Sequence, residues 1–223
     1  MFDERTTRFY AASVILGFEE IHSKDVVYRD LKPENLLLDS EGYVKITDFG
    51  LSKYIPSGRT HTLCGTSHYL APEIINGSGH GKAVDFWCLG VLIYEMLIGY
   101  PPFYIPGERS DHTKLYRRIT CGNFQSSNVF SPDAWDLICR LLQLKPYHRL
   151  GTGASGFSRL KKHPWFLGFD WARLVTRTLR APIIPYIRTD VDLHNFRKPN
   201  AMNYNRLFNT SVPVTDQSWD AEF

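Results

Sequence analysis

Cysteine is scarce in this sequence, with 4 residues among 223 (Cys64, Cys88, Cys121 and Cys139), and none of them forms a CxxC pair or a zinc-like spacing. A disulfide framework or a zinc ribbon is therefore excluded, and free thiols in a reducing, cytoplasmic setting are the expectation. Long hydrophobic runs are missing too. The most apolar stretch, "FWCLGVLIYEML" from Phe86 to Leu97, is too short to span a bilayer and carries Glu95, so it is expected to be a buried core helix and not a membrane span. Met1 is followed at once by Asp3, Glu4 and Arg5 instead of a basic then apolar leader. Charge of one sign is never concentrated, and a net charge of +3 does not argue for nucleic acid or an anionic surface. His61, His80, His112, His148, His163 and His194 show no paired metal-ligand spacing. There are no internal repeats.

What is present suits one domain with a real core, since 43% of residues are hydrophobic and 22% charged. From about Glu4 to Ser23, Tyr10, Val14, Phe18 and Ile21 recur at helical spacing. "VVYRD" and "ENLLLD" are short β-like runs, "DSEG" is a turn with Gly42 placed for positive φ, and "YVKIT" alternates as a strand. Leu51 to Gly81 is rich in Gly, Ser, Thr, His and Pro and is expected to be mostly long loop, which in a compact domain is usually functional. Helical patterns return around Lys114–Cys121 and Ser131–Gln143, the second opened by Ser131 as N-cap and Pro132 at the first helical position. Beyond Trp171 the pattern decays into prolines, polar residues and spaced apolar anchors (Ile183, Ile184, Phe196, Phe208, Trp219, Phe223), which suggests a segment that wraps a preformed surface. The aromatic residues around Trp165, Phe166, Phe169 and Trp171 are expected to pack, not to stack on nucleic acid.

The chemistry concentrates in "YRDLKPEN" and the "DFG" that follows it. Transferring a phosphoryl group needs an oriented hydroxyl, a metal to neutralise the triphosphate, and a cation near the moving group. Asp30 can accept or orient a substrate hydroxyl, and Lys32 can reach a γ-phosphate. Asn35 can ligate Mg²⁺ through its amide oxygen, and Asp48 supplies the hard carboxylate that Mg²⁺ prefers.

These motifs resemble the C-terminal lobe of a eukaryotic protein kinase, with "DLKPEN" of the serine/threonine type. The resemblance implies a mainly α (α+β) fold, with a small β-hairpin region at the catalytic loop and an extended C-terminal tail. It implies kinase-lobe residues 1–166 and a tail of the AGC type over 167–223. It also implies ATP and Mg²⁺ as cofactors. "YLAPE" (Tyr69 to Glu73) resembles the close of an activation loop, Asp85 the helix aspartate that holds the catalytic-loop backbone, and Arg149 the partner of Glu73. Phe49 and Gly50 of "DFG" and Tyr28 take structural positions, and Leu37 a nucleotide-binding one. Tyr28 itself, "RTHTLCGT", "HPWF…DW" and the final "WDAEF" are similar to the AGC group and, within it, to the cyclic-nucleotide-dependent kinases. "MFDERTTRFYAA", "WFLGFDW" and "APIIP" lean toward the cGMP-dependent branch over the cAMP-dependent one.

Carried over residue by residue, the resemblance makes Thr62 the activating phosphothreonine, held by Arg29 and Lys53. Thr66 becomes the residue bonded to Asp30 and Lys32. Glu34 and Glu95 become binders of substrate arginine, and Leu63 and Leu70 line the pocket just after the phosphoacceptor. The implied partners are basic Ser/Thr protein substrates, an upstream activating kinase and a regulatory cyclic-nucleotide-binding module. The chain departs from the pattern at Ser67-His68, where the family carries Pro-Glu. It departs again in the tail, where only Asn195-Phe196 followed by Arg197-Lys198-Pro199 stands for the usual ATP-edge motif. No glycine-rich loop, strand lysine or helix glutamate precedes Asp30, so the nucleotide-clamping N-lobe is expected to be absent from this chain, leaving it inactive alone or serving as a peptide- or partner-binding module. "GTGASG" (Gly151 to Gly156) fits G-x-G-x-x-G but stands after the catalytic loop with no strand before it, and is expected to be a flexible surface loop between helices.

Overall fold

Asp3 starts the first helix by accepting the Thr6 amide at 2.7 Å, and the helix, α1, then runs Glu4–Ser23. Its predicted face is the buried one: Tyr10, Val14 and Phe18 are in the core, and Ile21 is half-buried at the end. The computed structural model describes residues 1–189 apart from Ser57 and Ser110, together with Asp192 and residues 194–196. The anchors Phe208, Trp219 and Phe223, and Arg197-Lys198-Pro199, lie outside the described residues.

After α1 come β1 (Val26–Val27), β2 (Leu36–Leu38), β3 (Val44–Ile46) and β4 (Lys53–Tyr54). β2 and β3 form the expected hairpin in the register Leu37↔Lys45. Asp39 Oδ1 accepts the amides of Glu41 and Tyr43 at 3.0 Å each, and Gly42 turns the chain at φ 82°. A side chain at Gly42 is also barred from without, because its Cβ would lie 2.0 Å from the Ile183 carbonyl oxygen. Two expectations need correction. β1 is not a hairpin strand; it pairs antiparallel with β4, inside the stretch read as loop. That stretch also holds a short helix, α2 (Pro72–Ile75). A two-residue strand carries no alternation to read, and only its tertiary partner makes it a strand.

The remaining helices are α3 (Ala83–Ile98), α4 (His112–Cys121), α5 (Pro132–Leu141), α6 (Gly156–Lys161) and α7 (Trp171–Val175). α3 is apolar on every side and is buried along most of its length, with α1 and α5 against it. Gly90 permits that approach, since a Cβ there would sit 2.9 Å from Leu141 Cβ. Ser131 caps α5 through the Ala134 amide at 3.1 Å, as its position before Pro132 predicts. α7 extends regular structure past the point where the sequence pattern decays, with Asp170 capping it at the Arg173 amide, 2.9 Å away. "GTGASG" has no strand leading into it, but it is less loose than expected, because Gly151 and Gly156 are both buried. Residues 1–185 form one compact unit, in which Arg177 returns to Asp39 at 2.5 Å and to Glu41 at 2.7 Å, and Ala181 is buried. In the unit that begins at Tyr186, the Asn195 side chain donates to the Tyr186 carbonyl at 2.9 Å. No described helix is long and apolar enough to cross a membrane.

A buried ion pair joins the two halves of the helical part. Arg149 Nη1 reaches Glu73 Oε1 at 2.7 Å and Nη2 reaches Oε2 at 2.9 Å, with the side chains 0% and 4% exposed. Its other bonds go to the carbonyls of Gln143 (3.0 Å), Ala83 (2.9 Å) and Leu144 (3.4 Å), so the guanidinium ties α2, the start of α3 and the chain after α5 together. Such a pair fixes geometry more than it adds net stability, yet removing one partner strands the other as an uncompensated buried charge. Arg149→Met is therefore expected to cost about 3–5 kcal/mol in urea unfolding; a loss below about 1 kcal/mol would show that Glu73 does not depend on it.

Candidate active site

Asp85, near the start of α3, has no exposed surface. Its Oδ2 accepts the Tyr28 amide at 2.9 Å and faces His22 Nε2 at 2.7 Å; its Oδ1 accepts the Arg29 amide at 2.8 Å. Arg29 sits at φ 72°, a conformation a non-glycine residue holds only when its surroundings impose it, at a cost on the order of 1–3 kcal/mol. The carboxylate pins both amides and so fixes where the next residue, Asp30, sits. Tyr28 seals the other side. It donates to the Thr47 carbonyl at 2.5 Å and packs edge-on to Phe49 at 5.3 Å, which ties the catalytic-loop residues to "DFG".

Asp30, 5% exposed, has both oxygens engaged. Oδ1 accepts the Thr66 hydroxyl at 2.9 Å; Oδ2 accepts Lys32 Nζ at 2.8 Å and Asn35 Nδ2 at 2.9 Å. Lys32 Nζ also donates to Thr66 Oγ1 at 3.2 Å, closing a ring of charge-assisted bonds. Asn35 ends a 3₁₀ turn (Pro33–Asn35), and its amide nitrogen is spent on Asp30, which turns its amide oxygen away and leaves that oxygen for a cation. Thr47 donates from both its amide (3.0 Å) and its hydroxyl (3.1 Å) to the Asn35 carbonyl, which ties the residue before Asp48 to Asn35. Asp48 is exposed at φ 55°. The pair fits Mg²⁺, which binds proteins through one or two oxygen donors and completes its shell with phosphate and water. Among the described residues no three His, Cys, Asp or Glu side chains gather into a metal cage of their own.

Thr62 is exposed. Lys53 Nζ donates to Thr60 Oγ1 at 2.9 Å, and that hydroxyl lies 3.4 Å from Thr62 Oγ1. Arg29 uses its Nε on the Leu51 carbonyl at 2.7 Å and keeps a buried Nη with no partner. Glu95 accepts the Tyr69 hydroxyl at 2.6 Å. Burial pushes the Glu95 carboxyl up, and the charge of exposed Glu34 adds to the shift, so the two carboxylates feel each other. Leu63 and Leu70 are not equivalent: Leu63 is 68% exposed, whereas Leu70 is buried under Gly65. His68 packs against Tyr104 at 5.7 Å, and burial, with the nearby His112 and Arg118, pushes its imidazole down, so it is neutral at pH 7.

The protein kinase domain family matches residues 1–166. The chain belongs to the protein kinase domain family. Among curated relatives, it is 49% identical over 87% of its length to the cAMP-dependent protein kinase catalytic subunit of Dictyostelium discoideum, covering 29% of that protein. It is 45% identical over 87% of its length to the human cAMP-dependent protein kinase catalytic subunit PRKX, covering 53% of it. A cGMP-dependent protein kinase of Caenorhabditis elegans is 43% identical over the same 87%, of which the chain covers 25%. The chain thus spans from about a quarter to about half the length of these relatives. The similarity places the chain in the AGC group beside the cyclic-nucleotide-dependent kinases, a family of protein serine/threonine kinases that use ATP and Mg²⁺.

The remaining sequence-predicted residues lie outside the hydrogen-bond ring around Asp30. Leu37 is 39% exposed, and Phe49 is 49% exposed and packs on Tyr28. Gly50 donates its amide to Asp48 Oδ1 at 3.1 Å. The sequence reasoning missed His22, which backs Asp85, Thr60, which stands between Lys53 and Thr62, and Tyr69, which donates to Glu95. His22 and Tyr69 are defined by partners far along the chain, and Thr60 by a bond to Lys53 that its place in "RTHTLCGT" does not announce.

Burial pushes the Tyr28 phenol from 10.0 up to about 12, with Asp30, Asp48 and Asp85 acting in the same sense and Asn35 opposing. The folded state therefore keeps a proton that the unfolded chain releases near pH 10, so this contribution is complete below pH 10 and is lost as pH rises toward about 12. Urea unfolding at pH values across that interval should show falling stability, and a shallower fall in Tyr28→Phe. Equal slopes would mean that the Tyr28 phenol is not held protonated.

Proposed function

We propose that this chain carries the catalytic and peptide-binding half of an ATP-dependent kinase that phosphorylates Ser or Thr in basic proteins. The observation that supports it most is the ring of Asp30, Lys32, Asn35 and Thr66. A carboxylate held by three donors can orient a substrate hydroxyl and take its proton as the phosphoryl group moves. Lys32 faces the γ-phosphate, and Asn35 and Asp48 hold the Mg²⁺ that bridges the phosphates. Leu37 offers an apolar surface to the nucleotide.

Substrate arginines go to Glu34 and Glu95, and the residue after the phosphoacceptor goes to exposed Leu63, with buried Leu70 as support. Thr62 is the activating phosphosite, written by an upstream kinase. Its phosphate sits between Lys53 and the unpartnered Arg29 nitrogen and orders the loop by charge-assisted bonds. Residues 167–223 serve as the AGC-type tail, and a cyclic-nucleotide-binding module is the regulatory partner.

We infer further that these 223 residues by themselves do not turn over ATP. Ahead of Asp30 they form α1 and β1. Kinases hold the triphosphate with a glycine-rich loop and a strand lysine, which neither element supplies. Titrating Mg·ATP and a basic serine peptide onto the purified chain tests both inferences. Peptide binding weakened about tenfold by Glu34→Ala, with no turnover, is the expected result. Robust phosphorylation abolished by Asp30→Ala would retain the assigned roles and overturn the lack of autonomy; peptide binding indifferent to Glu34 would overturn the substrate assignment.

A further inference from the structure

The N-terminal end of α1 borders a cavity of about 880 Å³, within the size range of small-molecule sites. Three stretches of chain enclose it: the first turns of α1 up to Phe9, the entry to α7 from Gly168 to Arg173, and the segment Leu179 to Ile184 that follows α7. Bonds behind the cavity fix how these stretches stand to one another. Phe9 packs on Tyr43 with ring centres 5.4 Å apart, and the Tyr43 hydroxyl donates to the Leu179 carbonyl. The amides of Thr178 and Leu179 in turn donate to the Arg173 carbonyl at 2.9 and 3.1 Å. None of the residues assigned to phosphoryl transfer or to substrate lines the cavity.

Each stretch brings arginine to it: Arg5 and Arg8 from α1, Arg173 from α7 and Arg180 from the segment beyond. Arg5 and Arg8 stand three residues apart on a helix and so share a face. Two of the guanidiniums are set in place without being neutralised. Arg8 lies over the Trp165 ring, 5.3 Å from its centre, and Arg173 Nη2 donates to the Thr178 carbonyl at 3.0 Å. The two carboxylates of the lining are already used as helix caps, Asp3 on the Thr6 amide at 2.7 Å and Asp170 on the Arg173 amide at 2.9 Å. Among the described residues none of the four arginines has an ion-pair partner. Like charges drawn together from separate parts of a fold repel, and an anion between them relieves that repulsion. Guanidinium forks match phosphate oxygens in pairs, and forks already oriented lose little freedom in binding them.

We propose that this cavity binds a small organic polyphosphate, its phosphates divided between the Arg5–Arg8 face of α1 and the pair Arg173 and Arg180, with its carbon body against half-buried Leu179 and exposed Ile184. A single phosphate leaves most of this charge unmet, and a cavity bounded on three sides suits a free small molecule. The occupant cross-links α1, α7 and the segment Leu179 to Ile184, so it holds that segment on the lobe more firmly than the protein's own bonds do. This proposal does not depend on the chain's catalysis.

The probe is inositol hexakisphosphate, titrated by calorimetry onto the full chain at about 150 mM salt, where diffuse surface attraction is screened. Mg²⁺ is left out, so that Asn35 and Asp48 take no part. Arg173→Gln, and Arg5→Gln combined with Arg180→Gln, should each weaken binding about tenfold. Arg173→Lys keeps the charge but gives up the planar fork, and should weaken it about threefold. Arg117→Gln removes an exposed arginine of α4 outside the cavity and should leave the affinity within about twofold. All these side chains are exposed, and circular dichroism checks that each variant is folded. No binding by the wild type at millimolar probe, equal affinity in the cavity variants, or an equal loss with Arg117→Gln would each overturn the proposal. Tighter binding of vesicles carrying phosphatidylinositol 4,5-bisphosphate, or of a phosphoserine peptide, would overturn it in favour of that other occupant.

Discussion

A carboxylate with no exposed surface, Asp85, organises the loop that carries Asp30. Taking an ionised group out of water is costly unless its charge is met by well-placed donors, and Asp85 meets two backbone amides and an imidazole. Those amides belong to Tyr28 and Arg29, which the chain cannot hold in their observed conformation unaided, since Arg29 is at positive φ. Local strain is thus offset by the satisfaction of a buried charge. The consequence is positional: Asp30 is set where Lys32, Asn35 and Thr66 can reach it.

From that anchor the site spreads in two directions. Through Tyr28 and Thr47 it reaches Asp48, so the residues suited to Mg²⁺ share a scaffold with the carboxylate suited to the hydroxyl. Through Arg29 it reaches the activation segment, where one buried nitrogen still lacks a partner and Lys53 stands near Thr62. The same arginine backbone is pinned by Asp85, so the residue that borders Asp30 also carries the nitrogen left without a partner. The Glu73–Arg149 pair does for the outer helices what Asp85 does for the loop, fixing where α2 can lie.

Much of this was legible in the residues. The period of Tyr10, Val14 and Phe18 marked α1, the unbroken apolar run marked α3 as central, and Ser131-Pro132 marked the start of α5. These signals are local, because caps and periodic faces are set within a few residues. β4 and α2 were not legible, since a two-residue strand and a four-residue helix carry too little pattern and exist through what they pack against. Leu63 and Leu70 looked alike in sequence and differ in burial, a difference decided by which one faces Gly65.

By itself, the sequence determined the chemical inventory: an aspartate, a lysine and an asparagine in one short loop, an aspartate after a hairpin, and a threonine among basic residues. It also determined the family, because ordered motifs survive without any knowledge of contacts. Only the tertiary structure decided how those groups meet. Asp85 bonds Arg29 across 56 residues and His22 across 63, and Thr66 reaches Asp30 across 36. Bonds of that span come from packing α1, α3 and the activation segment around one core, and no periodicity within a window of sequence encodes them.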